Sequence, residues 1–241
     1  MENIEFKEKL FEAFKQNNLD EWLDNDKAEK LYLFYNILVE TNKTFNLTAI
    51  TDENDVILKH FVDCAAVLHF IPANSSVIDV GCGAGFPSLP IAILRDDINI
   101  TPLDSTAKKI AFIKSTADAL NLSNVTPIAS RSEEYAAKSR EKFDVAISRA
   151  VARLNILDEL CVPFVKVGGS FIAMKSSRGE EEYSEAQGGI KKLGCELTSK
   201  DIFDFKFGEL NITREIYVFE KKSHTPMQYP RNFSQISKKP L

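Results

Sequence analysis

From Ser76 onward the chain repeats one pattern: a short run rich in β-branched residues, then a stretch with helical spacing. SVIDV precedes FPSLPIAIL, INITPLD precedes STAKKIAFIKSTADAL, NVTPIAS precedes RSEEYAAK, KFDVAIS precedes ARLNILDELCVPFV, and SFIAMK precedes RGEEEYSEAQGGIKKL. Strands separated by helices pair in parallel, so the pattern predicts βαβ units and a sheet covered on both faces. Two further runs, GCELTSKDIFDF and TREIYVFEKK, follow one another with no helix between them and predict a hairpin ending in an antiparallel strand. The expected fold class is α/β, a Rossmann-like sheet of seven strands, mostly parallel with the last antiparallel. Before it, Phe6, Leu10, Phe11 and Phe14, and then Leu31, Phe34, Tyr35 and Leu38, form apolar stripes at helical spacing. They predict an N-terminal helical extension, residues 1–65, packed on a core domain of residues 66–241.

In such a sheet, ligands sit at the carboxyl ends of the strands, with the first strand-to-helix turn beneath them. Here that turn reads DVGCGAGF. A dinucleotide fingerprint G-x-G-x-x-G would need glycine at position 86, but Phe86 stands there and the glycines are Gly81, Gly83 and Gly85. The D-x-G-x-G-x-G spacing is the form seen in class I methyltransferases, which bind S-adenosylmethionine (SAM). Glycines let main chain lie against a ligand that has no pyrophosphate to seat on a helix N-terminus. Asp79, ending the first strand, can face the ligand's ammonium, and Asp104, ending the second, can clamp both ribose hydroxyls. Ser132 and Glu133, after the third, can read the adenine edge. Asp104 and Ser132 could equally be helix N-caps.

The methyl acceptor is approached by elimination. Amino groups and amides are usually methylated beside a [DN]-P-P-[FY] box after the fourth strand, where this chain has Ser148, Arg149 and Ala150. A C5 acceptor needs a cysteine nucleophile, but Cys82 lies in the glycine loop and Cys64, Cys161 and Cys195 read as core residues. Guanine N7 fits: it is already nucleophilic and loses no proton, so orientation supplies the catalysis and no general base is expected. His60, on an apolar stripe with Asp63, reads as a buried core histidine. Arg149 reads as a buried ion pair or as a planar fork for the SAM carboxylate or the target base.

The chain resembles the RsmG (GidB) family of bacterial 16S rRNA guanine-N7 methyltransferases. The likeness runs from about Asn42 to Leu241, through NKTFNLTAI, HFVDC, VIDVGCGAGFPSLPIAI, RSEE, SRAVA, AMK and the terminal YPRNF and KKPL. It implies SAM contact at Gly81, Phe86, Ser132, Glu133 and Arg149, and methyl transfer to a guanine in the decoding region of the small-subunit RNA. Departures are Cys64 where serine is usual, Ser176 where glycine is common, and SQISK before the final Pro-Leu. A net charge of −5 argues against coating naked nucleic acid, and it suggests a ribonucleoprotein particle, the small ribosomal subunit, as substrate. Charge is uneven, however: Lys221–Leu241 carries five Lys and Arg and no acid. Lys175 and Arg178, flanking the expected cofactor face, and Arg231, Lys238 and Lys239, in that tail, are the candidate RNA contacts. The N-terminus has no apolar signal region and no long apolar run occurs, so a monomer in the cytoplasm is expected, with no membrane contact and, from scattered cysteines, no metal. Competing expectations are a class I methyltransferase acting on a small molecule or protein, and a SAM-binding regulator without catalysis.

Overall fold

The computed structural model describes residues 2–149, 151–176 and 178–241. Ala150, in SRAVA, lies outside them. Among the described residues, seven strands form one sheet in the order β3-β2-β1-β4-β5-β7-β6. They are β1 (Ser76–Val80), β2 (Asn99–Asp104), β3 (Ile128–Ala129), β4 (Phe143–Arg149), β5 (Val165–Lys175), β6 (Cys195–Phe207) and β7 (Leu210–Lys221). The first five pair in parallel, whereas β7 runs antiparallel between β5 and β6. Chain order reverses between β1 and β4, and that switch point is where a doubly wound sheet offers a crevice to ligands.

Among the described residues, ten α-helices accompany the sheet. In chain order they are α1 (Glu2–Gln16), α2 (Asn25–Asn42), α3 (Glu53–Val56), α4 (Asp63–Ala65), α5 (Ser88–Leu94), α6 (Ala107–Ala119), α7 (Ser132–Ser139), α8 (Leu154–Cys161), α9 (Gly179–Lys192) and α10 (Phe233–Lys238). The period-two alternation of the strands sends neighbouring side chains to opposite faces. Val77, Val145, Ile147 and Ile172 join a cluster with Phe6, Leu10, Phe14, Leu31, Phe34 and Leu38 from α1 and α2. Ile78, Ala146, Phe171 and Ala173 face the other way, onto Ala136, Leu157, Ala186 and Ile190 from α7, α8 and α9. Both faces are thereby removed from water, which is why these strands read as nearly unbroken apolar runs.

Two strands differ from the expected bounds for visible reasons. Val125 bridges to Ile100, but Pro127 has no N–H to continue the ladder, and β3 is reduced to two residues. β5 begins at Val165 rather than Ser170, with a register shift against β4 between Phe143 and Val145. Gly169 sits at that irregularity, where a Cβ would lie 2.4 Å from the Asp144 carbonyl oxygen. The edge strand β6 is capped by Asn17, whose amide exchanges two hydrogen bonds with the Lys206 backbone.

Candidate active site

At the carboxyl ends of β1, β2 and β4 the glycine loop borders two adjoining cavities of about 360 and 370 Å³. They share Gly81, Asp104, Lys109 and Val151. Gly81 (φ +78°) and Gly83 (φ +56°) are both left-handed, a conformation that glycine adopts without steric cost. Their surroundings differ. A Cβ on Gly81 would come within 2.4 Å of Val151 Cγ2, whereas one on Gly83 would meet nothing within 4 Å and would project into open cavity. The Gly83 N–H donates to Asp104 Oδ2 at 3.2 Å, and Asp104 Oδ1 accepts from the Thr106 N–H at 2.8 Å. Asp104 thus holds the loop while its carboxylate lines both cavities. It does not cap a helix: α6 is preceded by Thr106.

Asp79 lies beneath this loop and is fully buried. Its Oδ2 accepts hydrogen bonds from the backbone and the hydroxyl of Ser88, at the start of α5. Its Oδ1 has no hydrogen-bond partner among the described residues. Burial pushes the carboxyl up to about 7, against the Ser88 hydrogen bonds and the Arg149 charge that favour ionisation. A buried carboxylate with a spare oxygen, a lining carboxylate at Asp104 and an open cradle at Gly83 fit a ligand with a cationic group and a diol.

Ser132 and Glu133 begin α7 and line the larger of the two adjoining cavities. Ser132 Oγ donates to the Leu160 carbonyl at 2.6 Å, which ties α7 to α8. Glu133 Oε1 accepts from the Phe233 N–H at 3.3 Å, so the C-terminal segment reaches this wall.

Arg149, ending β4, is a hub. One guanidinium nitrogen donates to the Lys59 carbonyl at 3.1 Å and to Asp63 Oδ2 at 2.9 Å. The other lies 3.2 Å from His60 Nδ1, and the guanidinium sits 5.2 Å above the Phe86 ring. Arg214, from β7, pairs with the other Asp63 oxygen at 3.1 Å. Lys59, His60 and Asp63 meet Arg149 from one side of a π-helical turn, Ile57–Val62, that joins α3 to α4. His60 Nδ1 lies 3.2 Å from the Arg149 guanidinium and 3.1 Å from the Lys59 carbonyl, and Nε2 lies 3.3 Å from Thr48 Oγ1. Burial, with the Arg149 charge second, lowers the imidazole to about 3. It stacks on Phe86 at 4.1 Å between ring centroids. His60 is therefore a neutral, packed side chain.

Beyond this hub a third cavity, of about 460 Å³, is lined by Lys59, Asp63, Arg149, Lys175, Arg178 and Arg214. His60, Arg149 and Val151 form walls of both this cavity and the one in the glycine loop. The five candidate RNA contacts fall in different surroundings. Lys175 is buried, bonded to the Ala152 carbonyl and to Glu182, both at 2.8 Å. Arg178 is exposed at the mouth of the third cavity. Arg231 closes a fork on the buried Glu159, with Nη2 2.5 Å from Oε2. Lys238 and Lys239 are exposed on the tail. Sequence reasoning had no signal for Lys59, Arg214 or Phe233 as site residues, because their partners are distant in the chain. Among the described residues no cluster of three or more His, Cys, Asp or Glu side chains is placed to hold a metal ion, and no helix is long and apolar enough to cross a membrane.

The family described as "GidB: rRNA small subunit methyltransferase G" matches residues 27–207. "Ribosomal RNA small subunit methyltransferase G" of Staphylococcus carnosus (strain TM300) is 41% identical over 237 residues, covering 96% of this chain and 97% of that one. The protein of the same description from Staphylococcus aureus (strain JH9) is 42% identical over 235 residues, with the same coverage. Among solved structures, M. jannaschii TYW2 in complex with AdoMet superposes with a TM-score of 0.52 at 15% identity, over 66% of this chain and 75% of that one. Trm5b from Pyrococcus abyssi gives 0.54 at 14%, over 74% and 52%. These two likenesses show the fold, that of class I SAM-dependent methyltransferases.

Proposed function

Because the chain belongs to the GidB family, rRNA small subunit methyltransferase G, we propose that it transfers the methyl group of SAM to N7 of a guanine in 16S rRNA of the small ribosomal subunit. The observation that carries the reading is the wall shared by two cavities. His60, Arg149 and Val151 separate a cradle suited to the cofactor from a cationic cavity open to RNA.

When bound, SAM supplies an electrophilic methyl group on its sulfonium. The chain's own residues do the rest. Gly81 and Gly83 bring main chain against the ligand, and Asp104 accepts from the ribose hydroxyls; Gly85, expected there too, turns instead onto Leu89 and Ile113 and borders neither cavity. Asp79, under the loop, adds negative charge that favours a cationic ligand, while Ser132 and Glu133 border the adenine end. Phe86, on which His60 stacks with Arg149 beside it, closes the floor. The third cavity takes the base, and Arg178 and Arg214 are placed to meet its phosphates. No residue at the shared wall is poised as a base: His60 is neutral with Nδ1 facing a guanidinium, and Arg149 is committed to Asp63. That suits an acceptor atom that loses no proton, for which alignment lowers most of the barrier. Asp63, between two guanidinium groups, offsets the positive charge that passes to the base.

We place this activity in the cytoplasm, carried out by a monomer. Tritiated SAM offered with 30S subunits, free 16S rRNA and ribosomal protein tests the substrate class. Label in 30S RNA is expected; label in protein alone, or SAM bound without turnover, contradicts it.

A further inference from the structure

The mechanism leaves one feature unused: an aromatic side chain, Phe233, on the rim of the cavity bordered by Ser132 and Glu133. This cavity of about 370 Å³ has apolar walls from Val80, Leu103 and Leu160, and the Asp104 carboxylate. Phe233 faces it from the far side, on the C-terminal segment. Phe233 is 41% exposed, although Tyr229 and Ile236 on either side are buried at 5% and 0%. The segment itself is pinned. Arg231 grips Glu159 through its backbone N–H (2.7 Å) and its guanidinium. Arg140 holds the carbonyls of Thr225, Pro226 and Tyr229 at 2.5, 3.0 and 2.6 Å. The Phe233 N–H donates to Glu133. A large apolar ring is thus held by a fixed backbone with one side left uncovered.

We propose that Phe233 is the outer wall of the adenosine subsite and contributes to SAM affinity by packing against the adenine ring. A flat aromatic surface on one side, apolar side chains on the other and a carboxylate at one end match a purine nucleoside: the base is sandwiched and the ribose diol meets Asp104. The tail whose acid-free sequence suggested RNA contact then serves the cofactor at Phe233. The inference rests on the cofactor reading above.

Calorimetry of the full-length chain with S-adenosylhomocysteine tests it. Phe233→Ala is expected to raise Kd on the order of tenfold, in the range of base–aromatic stacking, and Phe233→Trp to restore it. The same factor should appear with 5′-methylthioadenosine, which keeps the adenosine but lacks the amino acid. In a Trp22→Phe background the indole introduced by Phe233→Trp should change its emission when ligand binds. A Kd for Phe233→Ala within twofold of the parent in a folded protein overturns the inference, as does a loss confined to S-adenosylhomocysteine. If the parent chain binds neither ligand, the cofactor reading itself falls, and the two failures are told apart by that control.

Discussion

Replacing Gly83 by valine separates what the glycine loop does for the cofactor from what it does for the fold. In the structure Gly83 has φ +56°, and a Cβ there would touch no protein atom within 4 Å. The cost to the fold is therefore conformational, about 1–2 kcal/mol for an L-residue in the left-handed region. For a chain of this size that lowers Tm by roughly 2–8 °C, at about 2–4 °C per kcal/mol. The cost to binding is steric: three added carbons enter a cavity of about 360 Å³, near the lower end for small-ligand sites, against the surface where main chain must meet ligand. A loss of at least a hundredfold in affinity, about 2.7 kcal/mol, is expected. Thermal melts paired with calorimetry against S-adenosylhomocysteine separate the two. A folded Gly83→Val protein with unchanged affinity would refute the placement of the cofactor in this loop.

Three further outcomes follow from the same geometry. Arg149→Lys keeps a cation near Asp63, which Arg214 also pairs, but loses the fork that spans the Lys59 carbonyl, Asp63 and His60. kcat/KM should fall about a hundredfold with a Tm loss under about 8 °C, and a collapse of Tm in step with activity would make Arg149 a structural strut only. His60→Gln should leave the single-turnover rate at saturating SAM without a titrating group between pH 6 and 8; an acidic limb in the parent that vanishes in the variant would show a general base and point away from N7. Asp158, buried on α8 with one oxygen lacking a partner among the described residues, is pushed up to about 8 by burial. Its unfolded value is about 3.9, so its stabilising contribution is full below that pH and is lost as pH rises through 8; Asp158→Asn should gain about 1–3 kcal/mol relative to the parent on going from pH 5 to pH 8.5, and parallel stability curves would contradict this.

The parts of this structure that were legible in the sequence are those set by local rules. Val77, Ile78 and their counterparts in β4 and β5 announce strands buried on both faces, and the glycine spacing separates the loop from a dinucleotide fold before any coordinates are seen. What was not legible depends on partners far apart in the chain. Asp63 meets Arg149 and Arg214, Lys175 meets Glu182, and Arg231 meets Glu159, and nothing in the local pattern of a cation tells whether it will face solvent or a buried acid. Composition made the C-terminal tail look like a free basic arm, yet Tyr229 and Ile236 are buried and Arg231 is clamped. Removing the tail would therefore disturb packing and the cavity wall at Phe233 as well as any RNA contact. Lys221, read as part of that basic tail, is fully buried, donating to the Val162 and Val165 carbonyls and paired with Glu141.

The most direct test of the whole account is the identity of the product. Small subunits prepared from cells lacking this activity, incubated with the chain and methyl-labelled SAM, would be digested to nucleosides and separated by mass spectrometry. The account predicts that the label appears in 7-methylguanosine and in one residue per 16S rRNA, with the yield abolished by Gly83→Val. Label in 5-methylcytidine or at an exocyclic amine would contradict it, because those acceptors need a nucleophile or a proton acceptor that this site does not present, and label at a ring nitrogen of adenosine would contradict the choice of base.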